Sequence, residues 1–330
     1  MNKTPRVLIY TDIESDFEYL NSDFTFKILS QDLNFLNDMN HFKPNVIITI
    51  CNDWKIFSNL SHSDSTICNK WIHYDILPKS EQLINEIYNC YFYSITNSLS
   101  PLISIFTTTF NSGDKIKRPH KSLLKQSYAN WEWIIMDDSN DNSETFEMLK
   151  VLKNNDQRIR LYKRDNHSGS IGEVKNEASN LSRGEYIVEL DHDDELTENC
   201  LEEIVNGFKN NPEVGFIYTD FSEIYYPSMK NFKYEENWAF GFGAYRKVLH
   251  NKQWVNVACS APINQFTIQN IVGVPNHVRC WRKQVLVELG GYNIHLPIAD
   301  DYELLVRTFL KTKMMRLPFL GYIQYKNENN

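Results

Sequence analysis

The sequence predicts an α/β protein built as two successive units. Two segments, "RVLIYTD" at 6–12 and "PLISIFTTTFN" at 101–111, read as buried strands of parallel sheets that end in polar turns. Behind each of them apolar runs alternate with helical stretches, the pattern of a parallel sheet with crossovers. The acidic clusters "MDD" (136–138) and "DHDD" (191–194) each close such a run, and sheets of this kind bind ligands beyond the carboxyl ends of their strands.

Residues 1–98 make the smaller unit, Rossmann-like in pattern but without a G-x-G-x-x-G. After its first strand come a polar and aromatic helical stretch over 24–39, the strands "FKPNVIITI" and "NKWIHYDI", and a helix from about 79 to 92. The Ser/Asn/Pro joint "NSLSP" (97–101) marks the boundary. In the second unit, 99–330, "LISIFTTTF" precedes a helical stretch to Gln126, and "WEWIIMDD" precedes a helix over "SETFEMLKVL" that Asn142 or Ser143 is placed to cap. The strand "IRLYKRD", the helix "GEVKNEASNLS" stopped at Gly184, and the strand "EYIVELDHDD" follow. From about 220 to 275 the pattern turns irregular and aromatic-rich, and a helix over "RKQVLVEL" closes at "GGYN". The final "NENN" is expected to fray.

Composition removes several classes of function. With 34 Lys+Arg against 42 Asp+Glu the net charge is -8, which argues against nucleic acid held by its phosphate backbone. The six cysteines include no C-x-x-C and no histidine at finger spacing, so reduced thiols in a cytoplasmic protein are expected rather than structural zinc. No signal peptide is evident, and no apolar run approaches the ~20 residues that span a bilayer.

The chemistry-bearing candidates are mostly carboxylates. On an extended strand end, Asp191 and Asp193 point the same way and offer two hard oxygen ligands to Mg²⁺ or Mn²⁺. A solvated turn, with Asp194 capping the next helix, is the competing reading of that tetrad. Asp137 and Asp138 end another apolar run, where a carboxylate accepts hydrogen bonds from a base or a ribose, yet "DDSNDNS" is also a good turn and cap. Asp300 and Asp301 precede an amphipathic helix whose dipole favours negative charge. "NHSGSIGEVKNEA" has a phosphate-loop look without Walker spacing.

Taken in order, "TTTFN", "SLLKQSYANWE", "IIMDDSND", "NHSGSIGEVKNEA", "EYIVELDHDDELTENCLEEI", "GGYN" and "ADDYELLVR" resemble the family 2 glycosyltransferases of the GT-A fold, over about residues 100 to 326. The resemblance implies a nucleotide-sugar-binding half at 99–220 and an acceptor-side half at 221–330. It places Thr108, Phe110, Asn111 and Asp138 around a uracil, Asp191 at the ribose and metal, and Asp193 as direct ligand of a divalent ion, Mn²⁺ or Mg²⁺. Asp301 takes the position of the catalytic base, with Asp300 beside it. Where relatives carry "ARN", this chain has Val174, Lys175 and Asn176, so a phosphate contact falls to a lysine; relatives supply a late histidine near the metal, none follows His295 here, and His192, His277 or a water is the candidate for that place.

Together these imply an inverting transfer of one sugar from a UDP-sugar to a glycan, protein or small-molecule acceptor. The Q-x-x-R-W signature of processive synthases is missing. The first unit is expected to contact the acceptor or a second subunit in a homodimer. The alternatives are a sugar-nucleotide or glycan-binding module without turnover, and a nucleotidyltransferase, for which "TTTFNSGDKIKR" is too poor in glycine.

Overall fold

A computed structural model describes residues 4–20, 23–29, 35–51, 67, 70–74, 76–93, 100–235 and 238–327, in two compact units, Met1–Ser100 and Pro101–Asn330. Most of the "NSLSP" joint and the last three residues of "NENN" lie outside the described residues. The first unit contains β1 (Arg6–Thr11), β2 (Thr25–Leu29), α1 (Phe35–Phe42), β3 (Val46–Ile50), β4 (Trp71–Tyr74) and α2 (Ser80–Tyr93). Its sheet is parallel throughout, in the order β2-β1-β3-β4. Val7, Ile9, Val46 and Ile48 share a core with Leu83 and Ile87 of α2, which is why β1 and β3 read as unbroken apolar runs. The helical stretch expected over 24–39 is corrected. Thr25–Leu29 is the edge strand, its Thr and Ile suited to a half-buried pleat, and the helix begins only at Phe35.

The second unit opens with β5 (Ile103–Thr109), α3 (Lys117–Leu124), β6 (Trp131–Asp137), α4 (Glu144–Asn155), β7 (Ile159–Lys163), α5 (Ile171–Asn180) and β8 (Tyr186–Glu189). The chain steps outward from β5 to β6 to β7 and then returns to place β8 on the other side of β5, all four strands parallel. Reversal of strand order leaves a crevice outside the carboxyl ends of β5 and β8, where flanking crossovers diverge. Thr109, Asp137 and Glu189 are the last residues of β5, β6 and β8. The cap on α4 is also corrected: Ser143 has φ 72° and makes no capping bond, while the Asp141 carboxylate accepts from the Thr145 backbone N–H at 3.0 Å.

The remaining elements are β9 (Glu195–Leu196), α6 (Cys200–Asn210), β10 (Val214–Tyr226), β11 (Ala244–His250), β12 (Gln253–Cys259), α7 (Gln265–Asn270), β13 (Arg279–Arg282), α8 (Lys283–Leu289), α9 (Asp300–Lys311) and β14 (Lys313–Asn327). The region expected to be irregular thus holds a long strand and a hairpin. β10 is buried along nearly its whole length, so it lacks the alternation by which half-buried strands announce themselves. Asn251 and Lys252, both at positive φ, turn β11 into β12 in the two-residue manner of twisted hairpins. β13 joins the halves by pairing antiparallel with both β8 and β10. β14 runs parallel to β10 and also meets β9, which carries its tyrosines to the segment behind β8.

A buried ion cluster fixes the parallel half. Glu132 of β6 is 2 % exposed and accepts from Ser104 Oγ at 2.6 Å, the Arg183 backbone at 2.7 Å and Arg183 Nε at 2.8 Å, with Arg160 at 3.2 Å. Gly184 is required beside it, because a Cβ there would lie 2.6 Å from the Ser104 nitrogen. Burial alone pushes the Glu132 carboxyl up, but Arg183, Arg160 and the Ser104 hydroxyl outweigh it and bring the pKa down to about 2. Because the folded-state value is depressed, this stabilisation, worth ~3 kcal/mol, is present above the unfolded value and lost as pH falls from there toward 2. Glu132→Gln is therefore expected to be less stable than wild type at pH 6, with the gap closing as the pH falls below about 4. Urea unfolding of both proteins across that range measures it, and a pH-independent gap contradicts it.

Candidate active site

After β8 the chain does not stay extended. The Asp194 N–H folds back onto the Asp191 carbonyl at 3.4 Å, so residues 191–194 form a turn and the expected same-side alternation of Asp191 and Asp193 does not occur. Asp194 points inward at 2 % exposure, accepting from the Tyr322 hydroxyl at 2.9 Å and the Tyr325 backbone N–H at 2.7 Å. It does not cap α6, which starts six residues later at Cys200. The Tyr322 hydroxyl in turn accepts from the Asp191 N–H at 3.2 Å.

Ligand atoms of Asp191, Asp194 and His277 come within 4.8 Å of one another, the one such trio among the described residues. The Asp193 carboxylate is not part of it. His277 Nε2 lies 3.7 Å from Asp191 Oδ2, and its ring stacks on Tyr322 at 4.1 Å. Burial, followed by the Arg279 charge, holds the His277 pKa well below the usual histidine value, so the imidazole is neutral and its Nδ1 is buried without a hydrogen bond. Loss of hydration and then the Glu189 charge raise the Asp191 carboxyl to about 6, although 41 % of the side chain remains open to solvent. Carboxylate oxygens with one neutral imidazole suit Mn²⁺ or Mg²⁺ better than a soft ion. A cation here would offset the crowded negative charge of Asp191 and Asp194 and meet the His277 Nε2 that faces Asp191.

Glu189, 2 % exposed at the end of β8, joins this trio to α9. It pairs with Lys175 Nζ of α5 at 2.9 Å and with Arg279 of β13 at 3.2 Å. Arg279 continues to Asp301 Oδ2 at 2.7 Å, and Lys175 to Asp300 Oδ2 at 3.3 Å. Two buried cations thus grip the acidic pair, and both the Lys175 ammonium and the Arg279 guanidinium have their pKa raised by these carboxylates, Glu189 first, against the cost of burial. Neither aspartate acts as a conventional N-cap. That position is Ala299 at φ 60°, with no side-chain bond, and Asp301 Oδ1 receives only the neighbouring Tyr302 N–H at 2.7 Å. Asn176 clamps the same face, exchanging hydrogen bonds with Tyr292 N and O at 2.7 and 2.8 Å. Gly291, at φ 73°, leaves room for that amide: a Cβ there would stand 2.3 Å from Asn176 Oδ1.

On the β5–β6 side, Phe110 is 45 % exposed and its ring lies 4.5 Å from that of His167. The Asp138 carboxylate accepts the Ser168 N–H at 2.8 Å and meets His167 Nδ1 at 2.7 Å and Arg164 at 3.3 Å. Asp137 is turned inward onto Thr109 and Ser139, at 2.8 and 2.5 Å. Asn111 interlocks with Asn140, donating at 2.9 Å, and its N–H reaches Ser139 Oγ at 2.9 Å, while Thr108 stands half-buried opposite Met136. Thr108, Phe110, Asn111 and Asp138 therefore share one rim, and Lys175, His277, Asp191, Asp300 and Asp301 share one charge network. Sequence reasoning missed Glu189, Arg279, His167 and Arg164. Glu189 did carry a signal, being a lone carboxylate inside the apolar run "IVEL", which demands buried positive partners.

The profile described as "Glycosyl transferase family 2" matches residues 104–271, just over half of the chain. The chain belongs to this family. Relatives of this glycosyltransferase include the putative colanic acid biosynthesis glycosyl transferase WcaA of Escherichia coli K12, 43 % identical over 102 residues, or 31 % of this chain and 36 % of WcaA. The E. coli protein named UDP-Glc:α-D-GlcNAc-diphosphoundecaprenol β-1,3-glucosyltransferase WfgD is 32 % identical over 178 residues, 53 % of this chain and 64 % of WfgD. This chain spans less than two thirds of either relative. Among solved structures, Staphylococcus aureus TarS 1-349 in complex with UDP-GlcNAc superimposes with a TM-score of 0.53 at 17 % identity, covering 69 % of this chain and 59 % of that one. That likeness shows the fold, which is of the GT-A type.

Removing one partner of a buried pair leaves its counter-charge stranded at a cost of ~3 to 5 kcal/mol. Arg279→Met should therefore destabilise this family 2 glycosyltransferase by about that amount, whereas Asp301→Asn, at the outer end of the chain of pairs, should cost under ~1 kcal/mol. Denaturant unfolding compares them, and equal losses would contradict the ordering.

Proposed function

We propose that this glycosyltransferase moves a single sugar from a UDP-sugar to a hydroxyl of a glycan, protein or small-molecule acceptor, inverting the anomeric centre with the help of a divalent ion. The observation that carries the reading is the convergence, beyond the carboxyl ends of β5 and β8, of the Asp191–Asp194–His277 trio and the Asp300–Asp301 pair through Glu189. The donor is supported by WfgD, whose name gives UDP-Glc, and by the TarS complexes with UDP and UDP-GlcNAc.

In this reading Phe110 offers its exposed face to the uracil, with Thr108 and Asn111 beside it and Asp138 accepting from the base. Asp191 would receive the ribose and share the ion with Asp193 and with neutral His277, whose Nε2 faces Asp191 at 3.7 Å. Mn²⁺ or Mg²⁺ held there would offset charge on the departing diphosphate. Lys175, already taken up by Glu189 and Asp300, supports the acidic pair from below rather than reaching for a phosphate. Asp301 takes the acceptor's proton as oxygen attacks the anomeric carbon from the face opposite UDP, and Arg279 holds one of its oxygens while the other faces the start of α9.

The residues of the first unit, 1–98, are proposed as a separately folding domain serving the acceptor or a second copy of the chain. No helix among the described residues is long and apolar enough to cross a membrane. Cys200, Cys259 and Cys280 are in no disulfide, and on that cysteine usage we assign a cytoplasmic location.

Asp301→Asn should slow single-turnover transfer, or hydrolysis of the UDP-sugar, by ~10²- to 10⁴-fold with UDP affinity nearly intact. Near-normal turnover removes Asp301 from the role of base, and loss confined to Asp300→Asn moves the role one residue back. Asp191→Asn should weaken Mn²⁺-dependent UDP binding by ~10-fold or more in calorimetry, and unchanged binding would make the trio structural only.

A further inference from the structure

Asp193 stands outside the trio, yet its backbone is held by a residue far away in sequence. Arg118, in the first turn of α3, donates from Nη1 to the Asp193 carbonyl oxygen. Its guanidinium lies over the Tyr325 ring at 3.6 Å and near the Tyr226 ring at 4.9 Å. Those tyrosines sit near the ends of β14 and β10, which run side by side there, Tyr226 opposite Asn327. Tyr325 also donates its N–H to Asp194 at 2.7 Å. The carbonyl of residue 193 and the side chain of residue 194 are therefore gripped by a stacked Arg118–Tyr325 pair.

The remaining freedom of the turn is taken up by Tyr322, which holds Asp191 N–H at 3.2 Å and Asp194 Oδ2 at 2.9 Å. The 193–194 peptide lies inside that turn, and Arg118 donates to its carbonyl. A planar guanidinium can stack on an aromatic face and donate in its own plane at once, which an ammonium cannot. Neighbouring Lys117 and Lys121 are exposed, and Lys117 pairs with Asp114 on the same turn, so Arg118 is set apart from the other basic residues of this helix.

We propose that Arg118 is a positioning residue for the metal-binding turn, fixing the 193–194 peptide and with it the turn that brings Asp191 and Asp194 to the ion site. This rests on the donor and metal reading above. It also gives α3, which follows the base-binding strand β5, a direct hold on the ion site behind β8.

The test is UDP binding by calorimetry across a MnCl₂ series for wild type, Arg118→Met, Arg118→Gln and Asp193→Asn. Methionine keeps an apolar stem on Tyr325 and removes the donor, and the loss of such a supporting partner raises the metal requirement by ~10-fold or more. Metal-free UDP affinity and the thermal transition are expected to stay near wild type. If Arg118→Met fails to fold, Arg118→Gln is read by the same criterion. An unchanged Mn²⁺ requirement in a folded Arg118 variant, while Asp193→Asn raises it, overturns the role of Arg118 and leaves the donor reading standing. Absence of Mn²⁺-dependent UDP binding in wild type overturns both.

Discussion

A carboxylate buried to 2 % exposure at the end of a central strand must find positive charge, and Glu189 finds it twice, in Lys175 at 2.9 Å and Arg279 at 3.2 Å. The two cations come from α5 and β13, elements on different sides of β8. Each then has charge to share with an aspartate at the start of α9. The network therefore fixes a helix that makes no conventional cap of its own, and it sets the distance between the acidic pair and the turn that follows β8. Burial of this kind contributes little net stability. Its consequence is geometric, because few arrangements satisfy five charged groups at once.

The sheet explains why that network lies where a ligand can use it. Reversal of strand order between β5 and β8 opens a crevice at their carboxyl ends, and the parallel half supplies the rim of Phe110, Asn111 and Asp138. The antiparallel half supplies what the parallel half lacks. β13 delivers Arg279, with His277 just ahead of it, and β14 delivers Tyr322 and Tyr325 to the back of the turn at 191–194. Neither half holds the complete site. The match to glycosyl transferase family 2 runs across the junction, from residue 104 to 271, and includes β5, β8 and β10 but not α9 or β14.

Much of this was legible in the sequence, and the illegible parts share a cause. The parallel strands could be read because buried strands between crossovers leave continuous apolar runs with polar ends, as "IFTTTF" and "YIVEL" do. β10 was not, since burial on both faces erases alternation while Thr219, Asp220, Ser222 and Glu223 interrupt its apolar run. β14 was not, since it is half-buried along much of its length and its partners β10 and β9 lie far off in sequence. The edge strand at Thr25–Leu29 was absorbed into a helix because five residues are too few for either period to assert itself. Within the site, Asp191, Asp300 and Asp301 were named from motif order, and His277 only as an alternative to His192. The turn geometry that separates Asp193 from the trio was not, because it depends on Tyr322, Tyr325 and Arg118, three residues that no local pattern ties to "DHDD".

The central claim is the proposal that one cation and one nucleotide diphosphate bind at the turn that carries Asp191, beside His277. Anomalous scattering from crystals grown with MnCl₂ and UDP tests it most directly. The account predicts a manganese peak bonded to the Asp191 and Asp193 carboxylates with His277 beside it, the diphosphate on its far side and the uracil against Phe110. A well-defined UDP in the crevice with no manganese near Asp191, or manganese bound only at surface carboxylates elsewhere, would contradict it.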